Sequence, residues 1–188
     1  MNLNKIIAGL LLLGSVAIAV QSIRVGDVSG ERPLENWAAQ NPELEPVTVV
    51  PGSVYDGDTI RVRDRTGEEL RIRFACIDAP EKDQDLGIEA RDSLRNFLGN
   101  NPIYLRRTSS DRYGRIVAEV WVDHPQFDLI LSQLIQAENG EVFPYPQYKE
   151  DCPSWTEIEA AGQRAKAENL GVWGNPELVP PWEHRQSR

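Results

Sequence analysis

Five short strand-like runs with a single helix between the third and the fourth restrict the fold of this chain more than any other feature. The runs are VTVVPGSVY, TIRVR, ELRIRFACI, PIYLRRT and RIVAEVWV. Apolar and polar residues alternate along them, and turns that contain Asp and Gly separate them, which is typical of antiparallel strands. We therefore predict an α+β fold, a five-stranded Greek-key barrel of the OB type. Periodicity alone leaves other α+β arrangements open.

Three helices are predicted around these strands. Apolar residues recur every four positions over residues 86–98, and Gly99 stands at the C-cap position of that helix. The pattern of residues 126–138 predicts a second helix that stops at an Asn-Gly pair. A Ser-x-x-Glu capping box at 154–157 starts a third helix, which ends near Gly171.

The N-terminus has the pattern of an export signal. One cation, Lys5, precedes an uncharged apolar run over residues 6–20. This run is shorter than the roughly 20 residues of a membrane-spanning helix and fits the core of a signal peptide. The Ala-Ile-Ala at 17–19 predicts cleavage of residues 1–19 and a mature start near Val20. An uncleaved membrane anchor is the alternative, and either reading predicts an extracytoplasmic protein, secreted or in the cell envelope.

Composition divides the remainder of the chain into three parts. Residues 20–46 mix Gly, Pro and charged residues without a period, which predicts a flexible linker. Residues 47–174 form the predicted domain, and residues 175–188 form a C-terminal tail.

The charge distribution restricts the possible partners. The net charge is −9, yet residues 54–120 hold 12 of the 20 Lys and Arg residues against 13 acidic ones. Such a chain is not a polybasic coat for nucleic acid, although it can contain a local phosphate site. Two Cys without a C-x-x-C motif exclude a zinc ribbon, and two widely spaced His argue against a His-rich metal site.

Three polar clusters stand at strand ends or turns. Asp56–Thr59 enters the second strand, Asp78–Glu81 ends the third, and Asp111–Arg115 connects the last two. Taken singly, the first and third clusters are ordinary turns. In the second, Asp78 lies four positions after the apolar Phe74, so strict alternation puts both side chains on the same face of the strand. The carboxylate of Asp78 is therefore predicted to face the barrel. A buried carboxylate requires a cation or a cage of hydrogen bonds.

In this order and spacing, the clusters resemble the thermonuclease family, the staphylococcal-nuclease-like phosphodiesterases. The resemblance runs from about Val47 to Trp173 and rests on DGDTI, IRFACIDAPE, the LGIEA start of the helix, DRYGR and LGVW. It implies an OB-fold barrel with three helices that cleaves DNA and RNA with Ca²⁺.

The resemblance also implies a metal site. Asp58 and Asp78 match the two calcium-binding carboxylates of the family, and Ala79 matches a position that offers its backbone carbonyl. The best-known member of the family has Thr there, which a main-chain ligand tolerates. Oxygen ligands of this kind suit Ca²⁺, a hard ion.

The same resemblance assigns three catalytic residues. Arg73 and Arg115 match the catalytic arginines, whose planar guanidinium groups fit a phosphate. Glu81 matches the residue usually assigned as the general base. Strict alternation puts Arg73 and Asp78 on opposite faces of the strand, so a shared site requires a bend or bulge between them.

Substrate contacts are expected from the tail of the domain and the last loop. Tyr145 and Tyr148 lie where the family has tyrosines that contact the nucleotide, and stacking on a base is tolerant of sequence. Core packing or stiffening of the loop explains the two tyrosines equally well. Arg112 is expected to position a phosphate.

The partners follow from the same resemblance. DNA and RNA are the expected substrates, with single strands preferred, and we expect a monomer without a stable protein partner. A membrane is involved only if residues 6–20 stay attached.

The two cysteines, Cys76 and Cys152, are expected to form a disulfide, because a single pair in an exported protein is usually bonded. One buried and one exposed thiol is the alternative.

The leading hypothesis is thus an exported, calcium-dependent nuclease of low sequence specificity. One rival is a catalytically silent OB-fold module that binds single strands, which loss of Arg73, Glu81 or Arg115 would have favoured. A second rival is an interaction domain tethered to the cell envelope, with the acidic C-terminal third as its contact surface. The sequence leaves open whether DNA or RNA is preferred, which bond is cleaved and what purpose cleavage serves.

Overall fold

The structure, a computed structural model, describes residues 43–187. The predicted signal peptide or anchor and most of the predicted linker lie outside these residues. Within residues 43–187, no helix is both long enough and apolar enough to cross a lipid bilayer.

The strands form a barrel with a small ribbon beside it. Their bounds are Glu45–Val49 (β1), Thr59–Arg63 (β2), Glu69–Phe74 (β3), Ile77–Asp78 (β4), Ile103–Ser110 (β5), Ile116–His124 (β6), Asp128–Leu131 (β7) and Phe143–Pro144 (β8). Neighbouring strands follow the order β3-β2-β1-β5-β6, and a parallel pairing of β3 with β6 closes the ring. β7 extends the sheet from β6, and β4 pairs with β8. The predicted α+β fold with a five-stranded OB-type barrel is confirmed.

Helices pack around this barrel. Their bounds are Gly87–Leu98 (α1), Ser132–Glu138 (α2), Trp155–Ala167 (α3) and Pro181–Gln186 (α4), with 3-10 turns at Pro146–Asp151 and Gly171–Trp173. α1 follows its prediction closely, since it ends at Leu98 and Gly99 takes a positive φ of 47° at its C-cap. α4 lies in the part of the chain that was predicted as a tail.

The helix predicted over residues 126–138 is wrong in its first half. Asp128–Leu131 form a strand antiparallel to β6, with Trp121 opposite Leu131, and the helix begins only at Ser132. Asp128 takes a left-handed φ of 56°, which returns the chain along β6. The short run DLIL fits both the helical and the strand period, and pairing with β6 decides between them.

The predicted capping box of α3 is also wrong. Ser154 stands at the N-cap position, but its side chain makes no capping hydrogen bond. Its backbone N–H donates instead to Oε1 of Glu119 at 2.9 Å. The buried Glu119 carboxylate also accepts from Nε of Arg106 at 2.8 Å, because a buried charge requires such partners. A tertiary ion pair therefore fixes the start of α3.

A disulfide joins the barrel to the segment before α3. Cys76 and Cys152 are bonded, with their Cα atoms 5.4 Å apart, and they stand 76 positions apart in sequence. Cys76 lies between β3 and β4, whereas Cys152 directly follows a 3-10 turn. A crosslink that closes so long a loop removes much of the freedom of the unfolded chain.

Replacing both cysteines with serine should therefore lower the free energy of unfolding by about 2–5 kcal/mol. Urea denaturation of the double variant and of the unchanged protein measures the difference. The unchanged protein in excess reductant serves as the control and should lose a similar amount. A loss below about 1 kcal/mol would show that the disulfide adds little to stability.

Candidate active site

A bend between β3 and β4 brings Arg73 and Asp78 to the same side of the barrel. β3 ends at Phe74, and Cys76 takes a left-handed φ of 71°, which interrupts the alternation of side chains. Beyond the bend, Nη2 of Arg73 lies 2.6 Å from Oδ1 of Asp78. The chain therefore has the bend between Arg73 and Asp78 that is needed for both side chains to lie in one site.

Two buried carboxylates form the floor of the site. Asp78 is 1% exposed, and Asp58, which directly precedes β2, is 6% exposed. The Oδ2 atom of Asp58 accepts the backbone N–H of Ala79 at 2.7 Å, and its Oδ1 accepts the Thr59 hydroxyl at 3.1 Å. These hydrogen bonds fix the loop before β2 against the end of β4.

Gly57 permits this close approach. A Cβ atom at position 57 would lie 2.7 Å from Cβ of Ala79 and 3.0 Å from Cβ of Ala90. The carbonyl of Gly57 accepts from Nε2 of the buried Gln136 at 2.6 Å. The Asp-Gly-Asp turn is thus shaped by packing against two other elements as well as by its own turn residues.

Arg73 is held in place by four contacts. Its Nη1 donates to the backbone carbonyls of Phe74 at 2.7 Å and Ile77 at 2.9 Å. Its Nη2 lies 2.6 Å from Asp78 and 3.2 Å from Asp58. A guanidinium fixed in this way loses little freedom when it binds an anion.

Burial and crowding shift the pKa values of the carboxyl groups here. Burial, with the charge of Asp58 adding to it, raises the pKa of Asp56 to about 7. Burial also raises the pKa of Asp78, although the neighbouring Arg73 opposes the change. The cluster therefore concentrates negative charge at a poorly solvated place.

Glu81 lies at the edge of this cluster. Its backbone N–H donates to Oε1 of Gln84 at 2.9 Å, which holds the turn after β4. Its carboxylate accepts from Nη1 of Arg185 at 2.8 Å. Arg185 also reaches Asp78, with its Nη2 2.6 Å from Oδ2. Two of the predicted site carboxylates thus share one arginine from α4.

The loop between β5 and β6 supplies Arg115. Asp111 shapes this loop, since its Oδ1 accepts the backbone N–H groups of Tyr113 and Arg115, both at 2.9 Å. The Oδ2 atom of Asp111 accepts from Nε of Arg115 at 2.6 Å. The guanidinium of Arg112 stands 4.9 Å from the centre of the exposed Tyr113 ring.

An aromatic group lies beside the carboxylates. The rings of Tyr145 and Tyr148 meet edge to face with centres 5.3 Å apart. Trp182 of α4 stacks on Tyr145 with an interplanar angle of 11° and a centre distance of 4.8 Å. Tyr148 is 51% exposed, which is too open for a core residue, so the core-packing alternative does not apply to it.

One cleft of about 1270 Å³ gathers these groups. The predicted catalytic, metal-binding and substrate-binding residues all line it, namely Arg73, Glu81, Arg115, Asp58, Asp78, Ala79, Arg112, Tyr145 and Tyr148. Their separate roles stay predictions.

Three further residues of the cleft were not predicted from the sequence. Asp56 belongs to the Asp-Gly-Asp turn, and its spacing from Asp58 is the sequence signal that indicates a second carboxylate there. Trp182 and Arg185 lie in the predicted tail, where no periodicity or motif indicates a site.

The donor atoms in the cleft fit a hard divalent cation. Asp58 and Asp78 present carboxylate oxygens, with the carboxyl group of Asp56 nearby. The raised pKa values of Asp56 and Asp78 indicate a site that a positive ion would stabilise. Ala79 contacts Asp58 through its N–H group. A ligand role for the Ala79 carbonyl therefore stays a prediction.

Buried carboxylates beside arginine side chains, in a cleft of a small OB-type barrel, have the chemistry that fits a phosphodiester and a hard cation. Residues 71–175 match the family described as staphylococcal nuclease homologue. The chain belongs to this family, and the resemblance deduced from the motifs is confirmed.

Similar proteins carry nuclease names. The thermonuclease of Staphylococcus hyicus is 30% identical over 181 residues, which cover 92% of this chain and 100% of that protein. An uncharacterized endonuclease of Escherichia coli is 32% identical over 135 residues, covering 72% of this chain and 82% of the relative. A micrococcal nuclease of Shigella flexneri is 30% identical over 138 residues, covering 71% and 78%.

Proposed function

We propose that this protein is an exported, calcium-dependent nuclease that hydrolyses phosphodiester bonds of DNA and RNA with low sequence specificity. Membership of the staphylococcal nuclease homologue family supports a nuclease and a metal-dependent one. The observation that carries the proposal is the meeting of Asp58 and Asp78 with Arg73 and Arg115 in one cleft.

Asp58 and Asp78 would hold the metal ion. When bound, the ion would polarise the phosphoryl group and neutralise one of its oxygens. Calcium is the metal we propose, because it accepts carboxylate oxygens in flexible geometries and tolerates several water ligands.

The side chains of the chain itself perform the remaining tasks. Arg73 and Arg115 would bind the phosphate oxygens and stabilise the charge that grows on them as the water attacks. The four contacts of Arg73 hold its guanidinium group in a fixed orientation, so little freedom is lost when a phosphate binds. Glu81, which is 32% exposed at its side chain, would orient the attacking water and accept its proton.

The aromatic group explains the expected preference for single strands. Bases of a single strand are free to stack on Tyr145 and Tyr148, whereas bases in a duplex stack on one another. Stacking accepts every base, since each has a π face, which gives low sequence specificity. All of these groups lie in one chain, so a monomer suffices for the proposed activity.

Digestion of denatured DNA and of RNA tests the proposal. We expect cleavage of both with Ca²⁺, much slower cleavage with Mg²⁺, which demands stricter octahedral geometry, and none with EGTA. Undiminished cleavage in excess EGTA would contradict the metal role. Binding of single strands without cleavage under any of these conditions would favour the silent OB-fold module instead.

Export is proposed from the N-terminal pattern alone. We expect mass spectrometry of the exported protein to find a chain that begins near Val20, because Ala17-Ile18-Ala19 fits a cleavage site. A chain that still begins at Met1 would favour the anchor formed by residues 6–20.

A further inference from the structure

A row of arginines on the outer face of the β2–β3 hairpin leads away from the cleft. In the register of the two strands, Thr59 lies opposite Arg73, and the next pair on the same face is Arg61 opposite Arg71. Successive pairs on one face of a strand are roughly 6.6–6.8 Å apart. Arg71 still lines the cleft, and both arginines of the second pair are exposed.

The Arg61–Arg71 pair lacks a carboxylate partner among residues 43–187, in contrast to Arg63, whose guanidinium lies 2.6 Å from Glu69. The guanidinium of Arg61 lies 5.5 Å from the ring centre of the exposed Tyr55. Like charges directly opposite on antiparallel strands are destabilising. A surface of this kind gains stability when a polyanion lies across it.

We propose that Arg61 and Arg71 bind backbone phosphates of the nucleic acid strand adjacent to the phosphate held at Arg73. The proposal rests on the proposed function, and it extends the substrate site beyond the cleft along the β2–β3 hairpin. Guanidinium groups suit this role because they pair with two phosphate oxygens at once. Contacts of this kind position a strand without reading its bases.

The proposed phosphate-binding pair, Arg61 and Arg71, is called the phosphate track below. The salt dependence of nucleic acid binding tests it. The affinity of Arg61→Ser/Arg71→Ser for a labelled single-stranded oligonucleotide is measured in EGTA, where no cleavage is expected, over a range of salt concentrations. Because each phosphate contact contributes about 0.7 to the slope of log K against log salt for single strands, the slope should decrease by about 1.4. The control, Arg164→Ser/Lys166→Ser on α3, removes the same charge outside the cleft and should change the slope little.

Equal slopes for the unchanged chain and the track variant would overturn the proposal, as would an equal change in the α3 control. Failure of the unchanged protein to cleave any substrate would contradict the proposed function, and the binding slopes would still decide about the track.

A second and independent observation concerns α4, which lies in the cleft and follows the residues matched by the family. Its Arg185 donates to Asp78 and Glu81 at 2.6 and 2.8 Å. Its Trp182 covers one face of Tyr145, with ring centres 4.8 Å apart. The chain before α4 is tied down by Gln84, whose Nε2 donates to the carbonyl of Val179 at 3.1 Å.

These contacts put α4 in competition with the ligands of the cleft. A guanidinium and a divalent cation are both positive, and both bind carboxylate oxygens, so Arg185 and the metal compete for Asp78. Trp182 likewise occupies an aromatic face that a nucleobase would use. The side chain of Arg185 is 42% exposed, so water can solvate it once a metal ion takes its place beside the buried Asp78.

We infer that α4 is an intramolecular competitor that leaves Asp78 and Tyr145 when metal and nucleic acid bind. This inference also rests on the proposed function. It implies that the measured affinities are lower than those of the open cleft, because only the fraction of molecules with α4 displaced can bind.

Calorimetric titration with Ca²⁺ tests the competition without any cleavage. We expect Arg185→Ala to bind the ion about three- to ten-fold more tightly than the unchanged chain, since the competing guanidinium is gone. Arg91→Ala on α1 is the charge-matched control and should have an affinity close to that of the unchanged chain. An affinity for Arg185→Ala that is equal to or weaker than the control would overturn the inference.

Oligonucleotide binding in EGTA tests the aromatic contact separately. Trp182→Ala frees the covered face of Tyr145 and should tighten binding of a single strand several-fold. Weaker binding would instead make Trp182 part of the stacking surface and would contradict its role as a competitor. Absence of calcium binding by the unchanged chain and by Arg185→Ala would overturn both the calcium proposal and the competition for Asp78, whereas the oligonucleotide result would still decide about Trp182.

Discussion

Replacing Arg115 with lysine should lower kcat by about 10²–10³ while KM changes little. Asp111 holds Nε of Arg115 at 2.6 Å, and Nη1 makes only a long 3.5 Å contact with the Thr59 hydroxyl. Lysine keeps the positive charge but lacks the planar fork that binds two phosphate oxygens at once. Hydrolysis of single-stranded DNA, analysed as separate kcat and KM values, measures the effect.

The same exchange at Arg112 is the control. Arg112 belongs to the same loop, but it is exposed and stands over the Tyr113 ring. Lysine at this position should mainly raise KM and alter the salt dependence, as expected for a contact that only positions the strand. Small and equal losses of kcat at both positions would show that the loop merely binds nucleic acid and that Arg115 is not catalytic.

The barrel could be predicted because alternating apolar and polar residues in its strands indicate which side chains are buried. In β3, Ile72 and Phe74 are buried while Arg71 is exposed, and this alternation identifies both the strand and its inner face. The run Asp128–Leu131 lacks such a signal, since four residues fit a helix as well as a strand. Its pairing with β6 is a tertiary interaction that local periodicity does not contain.

Part of the cleft could be predicted from the order of the motifs, but the geometry of its residues could not. Arg73 and Asp78 meet only because Cys76 adopts a left-handed conformation that residues other than glycine rarely take. Cys76 is bonded to Cys152, 76 positions away, so the bend belongs to a part of the chain tied down by tertiary structure. A strand-by-strand interpretation predicts that a bend is needed without predicting how the chain makes it.

Arg185 illustrates a second limit of prediction from the sequence. It lies 107 positions after Asp78 in a helix of six residues, which is too short for a detectable hydrophobic period. Its position in the cleft depends on where the segment after Trp173 docks on the barrel. Such docking is set by a few long-range contacts, such as the stacking of Trp182 on Tyr145, rather than by the local sequence.

Exchange of Asp78 for asparagine should abolish metal-dependent cleavage. The loss of rate should exceed the roughly 10–100-fold effect that removal of a residue supporting a metal ligand produces, because Asp78 is a proposed ligand itself. Asparagine still offers an oxygen to Nη2 of Arg73, which also keeps its contacts with Phe74 and Ile77. The barrel should therefore fold, and near-ultraviolet circular dichroism checks this.

Asp92→Asn on α1 is the matched control, since Asp92 is half exposed and pairs with Arg91 and Arg95 outside the cleft. It should cleave at the unchanged rate and bind Ca²⁺ with unchanged affinity in calorimetry. If Asp78→Asn binds calcium normally but does not cleave, Asp78 acts on Arg73 rather than on the metal, because Arg73 would then have lost the nearer of its two charged partners. Cleavage by Asp78→Asn at the unchanged rate would remove Asp78 from the site altogether, leaving Asp58 and Asp56 as the carboxylates available to hold an ion.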